Sequence, residues 1–199
     1  MVAAGAGERF GRRKQYELLD GRRVLDWSVA AARSVADGVV LVVPADRADD
    51  PEKDVDAVVA GGATRSDSVR AGLAAVPPDA GWILVHDAAR PRATPLLFTA
   101  VLAALGDGAS DAAIPVLPVT DTVKHVRYGA VVATLDRSEL VTVQTPQAFR
   151  AAALRAAHAH PAAQATDDAA LVEAIGGRVV IVPGEAGNVK VTTSVDLLP

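Results

Sequence analysis

The sequence predicts an α/β protein: a mostly parallel sheet flanked by helices, with one inserted β-hairpin. Three observations carry that prediction. Continuous β-branched runs at 38–44 (GVVLVVP), 82–86 (WILVH) and 178–183 (RVVIVP) read as strands covered on both faces. Segments with apolar residues at helical spacing alternate with them, beginning at 24–35 (VLDWSVAAARSV). Polar clusters such as Asp87-Ala88-Ala89-Arg90 directly follow apolar strands, at the sheet edge where open α/β folds place their ligands.

In chain order, residues 1–4 (MVAA) form the stub of a buried strand. It runs into a loop with Gly5, Gly7 and Gly11 and the cations Arg9, Arg12, Arg13 and Lys14. Glycines let backbone N–H groups approach a bulky anion and the cations supply counter-charge, so the stretch reads either as a phosphate-handling loop or as a basic surface turn. It is not the dinucleotide fingerprint, which needs glycine where Phe10 stands, nor the P-loop, which needs Gly-Lys-Ser/Thr.

Asp20-Gly21 makes a turn before the helix at 24–35, and a charged connection at 45–54 separates the strand at 38–44 from another at 56–60. After Gly61-Gly62-Ala63, Thr64 caps a helix through Val76. Ser66 and Ser68 at its start either bind an anion or base edge or simply initiate the helix. His86 ends the strand 82–86 and reads as structural. Asp87 either binds Mg2+, which takes carboxylates together with substrate phosphates, or pairs with Arg90.

Residues 94–105 read as a helix, and 111–119 (DAAIPVLPV) as a strand whose two prolines indicate an edge or a bulge. The pattern then changes. Residues 120–134 (TDTVKHVRYGAVVAT) alternate around Tyr128-Gly129 as a hairpin, with apolar residues on both faces. Such an arm either protrudes and mediates dimerisation, which the pattern favours, or packs on its own domain. A strand at 142–149 ending at Pro146, helices at 150–160 and, capped by Thr166-Asp167-Asp168, through Ile175, strands at 178–183 and 188–192, and the start of a helix after Ser194 complete the chain.

At 199 residues, one domain is expected over 1–199, with the arm at about 120–141, burying roughly 70% of its unfolded surface. A net charge of −4 argues against a nucleic-acid or anionic-membrane binder, so any basic site is local. Cysteine is absent, which excludes disulfides, thiolate metal sites and a cysteine nucleophile. Neither a signal peptide nor an 18-residue apolar run is visible, and a cytoplasmic protein is expected. A mostly parallel sheet gathers its strand ends at one edge, so Arg9, Lys14 and Lys190 can surround one phosphate chain and stabilise charge developing on a transferring phosphoryl group.

The blocks AAGAGERFG, KQY, GGATRSDSV, VHDAARP, DTVK, DR, TPQ, TDDA and NVKVT occur in this order. Together they resemble the 2-C-methyl-D-erythritol 4-phosphate cytidylyltransferase family. The resemblance implies a Rossmann-like nucleotidyltransferase fold with a hairpin arm that builds a homodimer, and CMP transfer from CTP to methylerythritol phosphate with Mg2+. It implies that Arg9 and Lys14 stabilise the transition state, and that Lys190 and Arg137 hold the sugar phosphate, Arg137 from across the dimer. By the same resemblance Ala3, Ala4, Gly5, Gly62, Ser68, Asp87 and Arg90 line the nucleotide pocket, while Thr122, Thr145 and Thr166 lie near the sugar phosphate or the arm. Two alternatives stand beside it: a ribitol-5-phosphate cytidylyltransferase, and a truncated inactive homologue acting as a dimerisation module. The pattern departs at Arg13, where the family usually has proline, in a glycine loop that is short, and at both ends. There the few residues before Ala3-Ala4-Gly5 and the missing helix after Asp196 suggest a fragment or a start assigned too late.

Overall fold

The computed structural model describes residues 1–7, 10–106, 108–159 and 164–197. A small hairpin comes first, β1 (Leu18–Leu19) and β2 (Arg22–Arg23), turned by Asp20 and Gly21 at φ 52° and 77°. Helix α1 (Val24–Arg33), strands β3 (Val40–Val43) and β4 (Ala57–Ala60), and helix α2 (Arg65–Ala75) follow. Next are β5 (Trp82–Val85), α3 (Pro95–Ala103), β6 (Ala112–Pro118), and the hairpin β7 (Lys124–Arg127) with β8 (Ala130–Thr134). Strands β9 (Val141–Val143) and β10 (Gln147–Arg150), helices α4 (Ala151–His158) and α5 (Asp168–Ala174), and β11 (Val179–Pro183) complete the set. No helix of the described residues is long and apolar enough to cross a membrane.

The first residues join two strand groups. Val2 forms parallel bridges to Val42 and to Asp87. Its N–H donates to the His86 carbonyl (2.8 Å), while Ala3 N–H donates to the Val42 carbonyl (2.7 Å). The β4-β3 pair is thereby continued through the stub to β5 and on through β10 and β6 to β11. From the stub the chain goes out to β3 and β4 on one side and returns to β5 on the other. The stub is therefore a switch point, and the crevice beyond its carboxyl end is where such sheets bind ligands.

The sheet is mixed rather than mostly parallel. β3 with β4 and β6 with β11 are parallel, but β10 runs antiparallel to both β5 and β6, and β9 antiparallel to β6. Two expectations fail for a related reason. The segment 142–149 is two strands, β9 and β10, separated at the cis Thr145-Pro146 bond. β6 is central rather than an edge: β11 lies on one side, and β10 then β9 on the other. Pro115 points toward that second side, since its carbonyl accepts from Gln144 N–H (2.8 Å). Its missing N–H falls in the gap between the two partner strands, so no ladder bond is lost. Residues 188–192 are not a strand; Val191 N–H donates to the Ala89 carbonyl (2.7 Å) from an irregular segment.

Helices cover both faces. α2, α4 and α5 bury Val69, Leu73, Leu154, Leu171 and Val172 against Ile83, Ile114 and Phe149. On the other face α1 brings Leu25 and Val29 onto Leu41 and Val43, and α3 brings Phe98 and Val101 down beside them. Thr64 caps α2 in a reciprocal box with Asp67, as its position before the helical pattern predicts. The β7–β8 hairpin turns through Tyr128 (φ 51°) and Gly129 (φ 78°), and every residue of its strands is exposed. Paired positive φ values match the twist of the flanking strands.

Candidate active site

Beyond the stub, the glycine loop is tethered from beneath. Gln15 is buried, and its Nε2 donates to the carbonyls of Ala3 (2.7 Å) and Gly5 (3.1 Å). Gly7 has φ 74°, and a Cβ there would lie 1.9 Å from the Arg12 carbonyl oxygen, so the loop closes only on glycine. Arg13 forks onto both oxygens of Asp46 at 2.8 Å, fixing the loop's return and holding that carboxyl below its ordinary range. Lys14 opens a 3-10 turn, Lys14–Tyr16, on the wall of a cleft of about 550 Å3.

The facing wall is the Gly61-Gly62 turn and the start of α2. A Cβ on Gly61 would lie 2.3 Å from the Ala4 Cβ, so the two walls meet at glycine-level distance. The Ser68 hydroxyl accepts from Gly62 N–H (3.2 Å) and donates to the Thr64 carbonyl (3.0 Å), and Ser66 is buried. Ser68 thus sets the shape of the turn while also lining the cleft.

Asp87 forms the floor. Arg90, one of the two partners the sequence offers it, is engaged elsewhere, donating to the carbonyls of Asn188 (2.8 Å) and Val143 (3.4 Å). Asp87 instead accepts from Lys190 Nζ at 2.6 Å and from Arg65 Nε at 3.4 Å. Burial alone would raise its pKa, but the charges of Arg65 and Lys190 outweigh burial and hold it well below the carboxylate range. Arg65 also donates to Asp168 at 2.7 Å. Sequence reasoning missed Arg65, Asp168 and Gln15. Arg65 did carry a signal, because a cation in the first turn of a helix opposes the helix dipole and needs a compensating anion.

His86 is structural, as expected. The Thr145 hydroxyl accepts from Asp87 N–H (3.0 Å) and meets His86 Nδ1 (3.0 Å), while Nε2 faces the Arg90 carbonyl (3.3 Å). This network assigns a neutral ring protonated at Nε2. Burial drives its pKa down to about 3. Thr145 is therefore consumed in holding the floor and is not among the lining residues of the cleft.

Of the predicted site residues, Ala3, Ala4, Gly5, Lys14, Gly62, Ser68, Asp87 and Lys190 line this one cleft. Arg9 lies outside the described residues. Arg90 is not among the lining residues; it braces the segment carrying Lys190. Arg137 and Thr122 stand at the foot of the arm, where Arg137 donates to the Thr120 carbonyl, and exposed Thr166 precedes the Asp167 cap of α5. Among the described residues, no three His, Asp or Glu side chains are grouped to hold a metal. Asp87 is the one carboxylate among the described lining residues. That donor set fits a hard divalent cation carried in on a phosphate chain and meeting one protein oxygen, not an all-protein cage.

A glycine loop and converging cations at the switch point of a mixed sheet define an α/β fold of the nucleotide-handling transferase class. All of residues 1–199 match the family described as IspD, 2-C-methyl-D-erythritol 4-phosphate cytidylyltransferase, and the chain belongs to it. The 2-C-methyl-D-erythritol 4-phosphate cytidylyltransferase of Rhodococcus jostii (strain RHA1) is 47% identical over 204 residues, covering 98% of this chain and 89% of the relative. The bifunctional enzyme IspD/IspF of Clavibacter michiganensis subsp. michiganensis (strain NCPPB 382) is 46% identical over 213 residues, covering 99% of this chain. The chain spans about half the length of such bifunctional relatives, 52% in that case. The crystal structure of 2-C-methyl-D-erythritol 4-phosphate cytidylyltransferase from Thermus thermophilus superposes with a TM-score of 0.83 at 40% identity, covering 98% of this chain and 93% of the other.

Proposed function

We propose that this protein transfers CMP from CTP to 2-C-methyl-D-erythritol 4-phosphate, yielding 4-diphosphocytidyl-2-C-methyl-D-erythritol and pyrophosphate. The observation that carries this reading is the convergence of Lys14 and Lys190 on one glycine-walled cleft in a chain matching the family end to end. An oxygen of the sugar phosphate attacks the α-phosphorus of CTP. The bond from that phosphorus to the α–β bridging oxygen breaks, and pyrophosphate leaves with the electron pair. No protein nucleophile is needed, so the protein's contribution is alignment and charge neutralisation.

In this reading Arg9 and Lys14 stabilise charge at the α-phosphate. Ala3, Ala4, Gly5, Gly62 and Ser68 wall the nucleotide, Asp87 forms its floor, and Arg90 supports the Lys190 segment. Lys190 and Arg137 hold the sugar phosphate, with Thr122, Thr145 and Thr166 in supporting positions. Mg2+ bound to the triphosphate, with Asp87 as its protein oxygen, would neutralise phosphate charge. Asp87 would have to release Lys190 to serve, and the incoming sugar phosphate provides a competing anion for that ammonium.

The arm bears exposed Val126, Tyr128, Val131, Val132 and Leu135, an apolar surface that supports a homodimer through residues 120–141. Arg137 does not line the cleft of its own chain, which favours its reaching the partner's. The reading takes 1–199 as one catalytic domain acting in the cytoplasm, where CTP is at hand. Pyrophosphate release with CTP and Mg2+ tests it, with methylerythritol 4-phosphate and ribitol 5-phosphate offered in parallel. Release with the first alone is expected; release with the second alone would make this a ribitol-phosphate enzyme, and release with neither would sink both.

A further inference from the structure

A continuous line of polar and charged groups runs from the core between α4 and α5 to the cleft. His158 Nε2 meets Asp168 Oδ1 at 2.9 Å, and Arg65 NH1 donates to Asp168 Oδ2 at 2.7 Å. Arg65 Nε then reaches Asp87 Oδ1 at 3.4 Å, and Lys190 Nζ donates to Asp87 Oδ2 at 2.6 Å. The His158 and Asp168 side chains are each 1% exposed, and neither lines the cleft. The two unequal Arg65 contacts matter. A guanidinium grips a carboxylate best with two parallel N–H groups. Here the fork is divided, with its short bond spent on buried Asp168 and only a long one left for Asp87. Asp87 therefore keeps an oxygen for Lys190.

We propose that Asp168 is a positioning residue: by holding Arg65 away from a two-armed grip on Asp87, it leaves Asp87 to fix the Lys190 ammonium at the cleft. With Asp168 uncharged, the Arg65 charge has one carboxylate left and swings onto both oxygens of Asp87. Lys190 is displaced and must be ordered anew whenever an anion binds, at the cost of a flexible four-carbon stem. With Arg65 uncharged the shift is opposite, since Asp87 has only Lys190 to hold.

The chain has four lysines, Lys14, Lys53, Lys124 and Lys190, so their relative acylation by acetic anhydride can be read by mass spectrometry. In Asp168→Asn, labelling of Lys190 relative to Lys53 and Lys124 is expected to rise about threefold or more, and Asp168→Glu should restore it. In Arg65→Gln the same ratio should fall by about half, which keeps the test decisive if the Asp168 variant does not fold. Equal ratios in folded Asp168→Asn and wild type, or a rise in Arg65→Gln, would overturn the proposal. A kinetic arm rests on the cytidylyl-transfer reading. Asp168→Asn should raise KM for methylerythritol 4-phosphate about fivefold while KM for CTP stays within twofold, and a Lys190→Gln background should erase the effect. Equal effects in both backgrounds would refute action through Lys190. If wild type shows no turnover, the functional reading fails while the labelling ratios still decide the relay.

Discussion

Replacing Gln15 with methionine tests whether the glycine loop is built from below. The substitution keeps length and apolar volume but removes the two N–H groups that reach the carbonyls of Ala3 and Gly5. Ala3 is buried, so its carbonyl loses its side-chain donor in a place where water cannot easily replace it, at a cost of about 1–3 kcal/mol. Gly5 is exposed, and its carbonyl turns to solvent for about 0.5 kcal/mol or less. The sum, about 2 kcal/mol, corresponds to a melting-temperature drop of about 4–8 °C for a chain of this size. The functional effect should exceed the stability effect. A loop shifted by about 1 Å misplaces Lys14, and a displacement of that size commonly costs on the order of 10²-fold in rate. Differential scanning fluorimetry and pyrophosphate release at about 20 °C, where the variant remains folded, make the comparison. A melting-temperature drop of this size with kcat/KM for CTP within twofold of wild type would show that Gln15 supports the fold but not the site.

Lys14→Ala should lower turnover by about 10²-fold or more with little change in melting temperature, and near-normal turnover would remove Lys14 from the mechanism. Mixing inactive Arg137→Ala with inactive Lys14→Ala should recover activity through heterodimers, and none after verified subunit exchange would count against a shared site. Gly61→Ala drives a Cβ to 2.3 Å from that of Ala4 and should cost about 1–3 kcal/mol, measured by urea denaturation. His86 is held neutral down to about pH 3, whereas in the unfolded chain it takes a proton near pH 6.5. The unfolded state thus binds more protons between these values, and stability should fall with pH from about 6.5 at up to about 1.4 kcal/mol per unit from this group. A His86→Gln variant with the same slope by urea denaturation at about pH 7 and 5 would contradict that assignment.

What the sequence made legible depended on whether local pattern or distant contact decided the outcome. The β-branched runs became strands, Thr64 became a cap and Tyr128-Gly129 a hairpin turn, because each is fixed by propensities within a few residues. The prolines of β6 misled because whether a missing N–H matters depends on what lies opposite, and only the fold puts the β9–β10 gap beside Pro115. For Asp87 the sequence offers only Mg2+ or its neighbour Arg90 as a partner, yet its partners come from 22 and 103 residues away. Asp168 read as a simple addition to the Thr166-Asp167 cap, and nothing local distinguishes a capping carboxylate from one that will be buried against Arg65.

The position of the site follows from one topological fact. The segment holding Val2 and Ala3 has neighbours on both sides, and its hydrogen bonds to Val42 and His86 tie the two halves of the sheet together. A loop leaving the carboxyl end of such a segment enters the space between helices that diverge to opposite faces, so it needs no cavity carved from the core. The β5 extension delivers Asp87 to the same edge, and the segment after β11 delivers Lys190. Opposite charges meeting there solve a problem that the cations alone would pose. Lys14, Arg65 and Lys190 line one cleft, and the Asp87 carboxylate offsets their like charge until an anionic ligand arrives to replace it. Asp87→Asn should therefore weaken the fold of the ligand-free protein more than that of protein saturated with a phosphate-bearing ligand. Thermal melting with and without methylerythritol 4-phosphate, the anion that takes Lys190 from Asp87 in this reading, measures this, and an equal loss in both states would refute the balancing role.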